Sequence, residues 1–207
     1  MSAPRVRVSG VVSSALVPAL LGVLVAGLVT GTASCATTGD DERTGRDRAA
    51  TLLDRQRTDV RAAARAMLQG AERRLGGIAA HGTGGWRGCE SAAVEEYRNF
   101  SYLAQGRVDV GPGAPEQSLT ALRAVLEDAG FTAGEVGPGP GGGRSMRLVG
   151  TDGDLTAVFS STGWRSSGTT VGPVVGLDVY GPCVDVPEDE RDDWLRRREP
   201  TPDLLRR

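Results

Sequence analysis

Lysine is absent from this sequence, and all 24 basic residues are arginine. Histidine, isoleucine and asparagine occur once each, as His81, Ile78 and Asn99, and aromatic side chains make up only 4% of the chain. Each scarcity removes something. A single histidine leaves one candidate base for serine or cysteine nucleophile chemistry, and no Gly-x-Ser-x-Gly run supplies a nucleophile elbow. Two separated cysteines and one histidine fall short of a tetrahedral zinc set. With few aromatics, a core must rest on Leu, Val and Ala. Charge of one sign is missing as well: 24 basic against 26 acidic residues leave a formal net charge of -2. Such a balance creates no global field to gather nucleic acid, so no nucleic-acid partner is expected.

What is present begins with a leader. Arg5 and Arg7 precede an uncharged stretch over residues 8–39, whose most apolar part spans 11–29. That is a positive n-region followed by a hydrophobic h-region. Small residues at 30–34 come next, then Cys35, with the first acidic residues, Asp40 and Asp41, just beyond. The arrangement resembles a bacterial lipoprotein signal. The abundance of Ala, Gly, Val and Arg is similar to that of proteins from high-GC actinobacteria, whose many uncharacterised lipoproteins the chain resembles in leader and composition alone. The resemblance implies a diacylglycerol on the Cys35 thiol, cleavage before Cys35, and anchoring at the extracytoplasmic face of the cell membrane. Ala33 and Ser34 suit the peptidase; Thr32 stands where that motif usually has Leu. Two other readings remain: an uncleaved anchor of about twenty apolar residues, and a plain secretory signal cleaved after Ala36. All three export the domain.

Three cysteines would leave one awkward thiol in an oxidising compartment. Acylation of Cys35 removes it, and Cys89 and Cys183 then form an even pair for which a disulfide is the default. The loop it closes is roughly 95 residues long, for which the chain-entropy model gives about 4–5 kcal/mol.

Periodicity lays out the rest. After a polar tether to about residue 46, apolar residues recur at spacings of three and four from Ala49 to Leu75, predicting one long amphipathic helix that stops at Gly76 and Gly77. The opposite face carries Arg55, Arg57, Arg61, Arg65 and Arg73. Because arginine is the only cation used, this row reads as a solvated face. Residues 82–88 read as a Gly-rich loop holding Trp86, expected to pack beside Cys89. Alternation over 100–110 predicts a first strand with a bulge at Gly106. A second helix opens at Pro115 and ends at Gly130. β-type runs follow at 131–136, 145–149, 155–160 and 171–180, with Asp152-Gly153 as a two-residue hairpin signal. A short helix from Pro187 stops at Pro200 and Pro202, leaving a frayed tail.

Tests for chemistry return little. In the run of Gly and Pro over 137–143 the two prolines lack the N–H donor, and no lysine or helix follows to make a phosphate loop. Asp152 and Asp154 belong to a turn, without the further ligands of a calcium loop, and the acidic group at 188–193 reads as ion-paired helix surface.

The expected organisation is a signal peptide over 1–34, a lipidated N-terminus and tether over 35–46, an α+β domain over 47–186, and a short C-terminal helix and tail over 187–207. The domain should carry a long N-terminal helix and a second helix packed on a mainly antiparallel sheet of four to five strands, with one disulfide. The function expected is that of a membrane-anchored, non-catalytic binding or accessory module of the cell envelope. Its partners would be the membrane through the lipid on Cys35 and an envelope protein or cell-wall component, with no cofactor and no metal. The alternatives are an envelope hydrolase using His81 or an unidentified carboxylate pair, and a carrier of a small apolar ligand held between Leu122, Val125 and the strands.

Overall fold

A chain whose apolar residues recur first at helical and then at alternating spacing should stack helices on one face of a sheet. The computed structural model has that arrangement, and describes residues 38–89, 98–111, 114–139, 145–166 and 169–205. Helix α1 spans Thr38–Leu75, followed by β1 (Ile78–Gly88) and β2 (Asn99–Asp109), then α2 (Pro115–Asp128). Four strands come next: β3 (Thr132–Pro138), β4 (Ser145–Asp152), β5 (Leu155–Ser166) and β6 (Thr169–Tyr180). The two-residue β7 (Val184–Asp185), a 3-10 turn (Glu188–Glu190) and α3 (Arg191–Arg196) complete the described chain. The strand order is β1-β2-β6-β5-β4-β3, with β7 beside β2. Every pairing is antiparallel.

One face of the sheet carries the core. Tyr102, Ala104 and Val108 of β2, Val175, Leu177 and Val179 of β6, Ala157 and Phe159 of β5 and Leu148 of β4 form one buried cluster with Val60, Ala64, Met67 and Leu68 of α1 and Leu119, Leu122 and Leu126 of α2. The strict alternation in β2 and β6 is why these residues share a face. Helix α1 packs on β1, β2 and β6, α2 on β3, β4 and β5, and the two helices meet where Gly70 faces Val125 so closely that an added Cβ would lie 2.8 Å from it.

The α+β class, the mainly antiparallel sheet and the Cys89–Cys183 disulfide agree with expectation. The strand count does not: the sheet has seven strands rather than four to five. The largest difference is at 78–88, expected to contain a loop and in fact an eleven-residue strand paired along β2. Two of its glycines are there for space. A Cβ at Gly84 would run into the ring of Tyr102, and one at Gly82 would press on Leu68, Leu204 and Leu205. The bulge expected at Gly106 falls instead on β1, where the register shifts between Ala79 and His81. The two-residue turn at Asp152-Gly153 is as expected, with Asp152 paired to Leu155 and Gly153 at a φ of 54°.

Both ends of the domain also differ from expectation. The helix begins at Thr38, eleven residues before the apolar periodicity does, so the residues expected as a tether from 38 onward are helical. The C-terminal segment expected to fray is tied down as far as Leu205. Leu204 is fully buried in the main core, its N–H donates to the Gly82 carbonyl at 2.8 Å, the Gly84 N–H donates to the Pro202 carbonyl at 2.8 Å, and Thr83 and Asp203 form an antiparallel bridge. The segment is a strap laid along the free edge of β1. Leu204→Ala should therefore cost about 2–5 kcal/mol, the range for emptying a buried leucine site. Urea denaturation would show it as a lowered midpoint at an unchanged slope; a midpoint equal to that of the wild type would mean the strap is not part of the folded core.

Candidate functional site

Two places bring functional groups together, and the first is built by the arginine row of α1. Arg57, Arg61 and Arg65 stand four residues apart, on one side of the helix. All three reach the strap. Arg57 donates from Nε and Nη2 to the two carboxylate oxygens of Glu199 at 2.7 and 2.5 Å. Arg61 donates to the Tyr102 hydroxyl at 3.0 Å, and Arg65 to the Leu204 carbonyl at 2.9 Å. The Tyr102 hydroxyl in turn donates to Glu199 at 2.9 Å. The Glu199 side chain is only 2% exposed, so each of these bonds acts in a poorly screened environment.

The electrostatics follow from that burial. Burial by itself pushes the Glu199 carboxyl up, but the hydrogen bonds from Arg57, from the Thr201 N–H, from Tyr102 and from the Thr201 hydroxyl outweigh it and hold the group at about 2, against an ordinary 4.5. Burial pushes the Tyr102 phenol up to about 12; its bond to Glu199 adds to the rise and the bond from Arg61 opposes it. The hydrogen bond to Glu199 raises Arg57 in the same way. Beside this network Arg197 lies between two indoles, 4.6 Å from the Trp86 ring centre and 4.2 Å from that of Trp194. Trp86 meets Tyr102 and Trp194 edge-on, at 5.3 and 6.0 Å. The carboxylate is ionised, saturated with donors and closed off by packing. A general acid or base needs a free site and a matched pKa; Glu199 has neither, and its chemistry is to fasten the strap.

The second place is open. A groove of about 1130 Å³ runs beside α1 from Gly45 to Ala66. One bank is α1 itself, with Leu52, Ala62, Ala63 and Ala66; the other is formed by Asp152, Asp154 and Leu155 at the β4–β5 turn, and by Pro182, Cys183, Val184 and Asp185 after β6. Ala129 and Phe131 close the end at which α2 stops. Leu52 is 44% exposed, one of two large apolar side chains so exposed among the described residues. Gln56, buried on the same helix, donates to the Pro182 carbonyl at 2.7 Å and accepts from the Tyr102 N–H, which pins α1 to the corner that carries Cys183.

Of the residues singled out in the sequence, Cys35 lies outside the described residues. Cys89 and Cys183 are joined, their Cα atoms 6.1 Å apart, within the ordinary span of a disulfide. His81 is exposed on β1 opposite Arg107 and lines neither this groove nor the smaller one between α1 and α2. Leu122 and Val125 are packed into the core, and side chains fill the space where an apolar ligand was considered. In the acidic group, Asp189 and Glu190 pair with Arg46, and Asp192 with Arg191 and Arg196. No set of three or more His, Cys, Asp or Glu among the described residues is placed to hold a metal ion. No helix among them is long and apolar enough to cross a membrane.

Comparison with protein-family models, with characterised proteins and with solved structures finds no match. Function must therefore be argued from the groove and the network alone. Sequence reasoning missed both. The spacing of four between Arg57, Arg61 and Arg65, against a C-terminal stretch that carries Glu199 and the apolar pair Leu204 and Leu205, is the signal in the sequence, masked because arginine is the chain's only cation.

Proposed function

We propose that the protein is a lipid-anchored lipoprotein at the extracytoplasmic face of the cell membrane, and that its α+β domain is a non-catalytic binding or accessory module of the envelope. The observation that carries the module reading is the α1 groove: an open channel, apolar along Leu52, Ala62, Ala63 and Ala66 and rimmed by charged side chains, bounded by Gln56, the disulfide corner and the α2 end. Rigid, concave and mostly apolar surfaces are what binding sites require. The one carboxyl among the described residues whose pKa is strongly lowered, Glu199, is sealed inside a structural network, and the one histidine stands away from both grooves. Neither His81 nor Glu199 therefore gives the hydrolase reading a site among the described residues, and the packing of Leu122 and Val125 into the core leaves the carrier reading no cavity there. The joined Cys89 and Cys183 support an oxidising compartment, and the run from Arg5 to Cys35 supports the lipid anchor.

The test is the intact mass of the protein from the membrane fraction of an actinobacterial host, without reductant. The expected mass is that of the chain from Cys35 onward plus a diacylglycerol, less two hydrogens for the disulfide. The expected phenotype of Cys35→Ala is loss of incorporated radiolabelled fatty acid. If Cys35→Ala leaves both mass and membrane retention unchanged, the leader is an uncleaved anchor and the lipoprotein reading fails.

A further inference from the structure

Resting on the module reading, we infer that the α1 groove receives an amphipathic α-helix of a partner protein, carrying a small-residue apolar stripe and a basic flank. The shape comes first. The α1 residues that line the groove include 45, 48, 52, 55, 59, 62 and 66, alternating steps of four and three, with 49, 56 and 63 beside them. That is a seam running straight along one side of the helix for about 32 Å at 1.5 Å per residue. Ala62, Ala63 and Ala66 make one end of the seam small enough for another backbone to approach closely, and Ala49 and Leu52 form an apolar step towards the other end, with Arg48, Arg55, Gln56 and Asp59 between and beside them.

Topology accounts for the vacancy. Helix α1 has 38 residues and α2 only 14, and both lie on the same face of the sheet. The groove starts at Ala129 and Phe131, where α2 ends, and continues along α1 beyond it. A docked helix would extend the helical layer where α2 stops short, against α1 on one side and the β4–β5 turn on the other. Laying an amphipathic helix in an apolar groove is a recurrent mode of recognition, anchored at i, i+3, i+4 and i+7.

Charge then selects the occupant. Arg55 and Asp59 on the α1 bank pair with each other at 3.8 Å. The opposite bank presents Asp152, Asp154 and Asp185, none of which enters an ion pair among the described residues. Arg48 is the remaining arginine in the lining. The bank facing α1 is thus acidic, and an occupant with Arg or Lys along that flank is favoured over one with Glu, mainly through association rate and specificity.

The experiment uses the full chain in nanodiscs and three synthetic peptides of 21 residues sharing one alanine and leucine stripe. One has an arginine flank, one a glutamate flank, and one has the arginine flank with a central proline that breaks the helix. Binding is read by fluorescence anisotropy. The arginine-flanked helix should bind at least tenfold more tightly than either of the others. It should lose at least tenfold on the combined Asp152→Asn, Asp154→Asn and Asp185→Asn change, which keeps turn-favouring residues in place, and again on Ala62→Phe, an exposed position on the seam. Thermal melts of the variants confirm that they fold. Equal binding of the proline peptide overturns the helix, equal binding of the glutamate peptide overturns the charge preference, and no binding at all overturns the inference. A photo-crosslinking amino acid at position 52 separates this failure from failure of the module reading. If it traps an envelope component in cells while the peptides do not bind, the module stands and the helical occupant falls; if it traps only a second copy of the chain, the occupant is the protein itself; if it traps nothing, both readings fall.

Discussion

Glu199→Gln should lower the stability of the domain at neutral pH by about 3 kcal/mol, the low end of the cost of breaking a buried ion pair. The low end applies because Arg57 and Arg61 retain 27% and 13% of their side-chain surface and are partly solvated when left alone. The substitution keeps the shape and removes the charge, so an amide that is partly donor then faces two guanidinium donors and the Tyr102 hydroxyl. For a domain of this size the melting temperature should fall by roughly 6–12 °C. Replacing the pair together, as Arg57→Leu with Glu199→Leu, should recover part of the loss, since an apolar pair leaves one less buried charge unanswered.

The pH dependence gives this prediction a sign. A carboxyl held at about 2 in the folded state against 4.5 ordinarily contributes stability that is fully present above the unfolded value and is lost as pH falls through 4.5 towards 2. That shift corresponds to about 3 kcal/mol, consistent with the cost of the substitution. Denaturant midpoints of the wild type and of Glu199→Gln should therefore differ by a constant amount above pH 5 and converge near pH 2. A gap that persists unchanged at pH 2 would show that the effect is steric and that the charge of Glu199 contributes nothing. The strap couples this network to the edge of the sheet. Without the Glu199 charge the strap loses its link to Arg57 and is held to α1 by the bonds from Arg61 and Arg65 to the Asp203 and Leu204 carbonyls, so the β1 edge is uncovered more often, and an unpaired strand edge is a template for association between chains; concentration-dependent association of Glu199→Gln is the expected companion result.

How far these features were legible in the sequence depends on the range of the interaction that makes each one. Helix α2 announces itself locally, through Pro115 at its first turn, the stripe of Leu119, Leu122, Val125 and Leu126, and Gly130 at a φ of 88° just beyond it. The turn at Asp152-Gly153 is equally local. Strand β1 is not: Gly82, Gly84, Gly85 and Gly88 suppress every strand signal, and two of them, Gly82 and Gly84, are required because Leu68, Leu204 and Tyr102 pass over that backbone from elsewhere in the chain. A run such as Thr-Gly-Gly-Trp has loop propensity by itself and becomes a strand through pairing with β2. The strap is the extreme case. Arg57 and Glu199 are 142 residues apart, and Pro200 and Pro202 next to the glutamate read locally as a chain end coming loose. The groove was illegible for a related reason. The spacing of α1 predicts the stripe that is buried, but the alanine seam beside it gains meaning only because α2 stops short. The disulfide was legible without geometry, from an even pair of cysteines left once Cys35 is set aside in a chain whose leader resembles an export signal.

Removing that disulfide should have the largest effect of any change outside the core. Cys89 closes β1 and Cys183 follows β6, so the bond joins the end of the first strand to the corner where the chain turns from β6 to β7, and encloses β2, α2 and the whole β3–β6 meander. With the two cysteines separated by 94 positions in sequence, restricting the unfolded chain is worth about 4–5 kcal/mol in the chain-entropy model. The combined Cys89→Ser and Cys183→Ser change should then lower the melting temperature by roughly 10–15 °C, on the scale of 2–4 °C per kcal/mol for domains of this size. Dithiothreitol, with reduction verified by mass, should lower the wild type by a similar amount and leave the double variant untouched. The loss should also reach the groove, because Cys183 lines it beside Pro182, the acceptor of the Gln56 amide. Hydrogen exchange of the 182–186 backbone should therefore accelerate more in the double variant than that of β4 or β5. Uniform acceleration would confine the bond to the unfolded state, as the entropy model alone has it. A faster 182–186 segment would add a native-state role, holding one bank of the groove in position, and would predict that reducing conditions weaken whatever the groove binds before they unfold the domain.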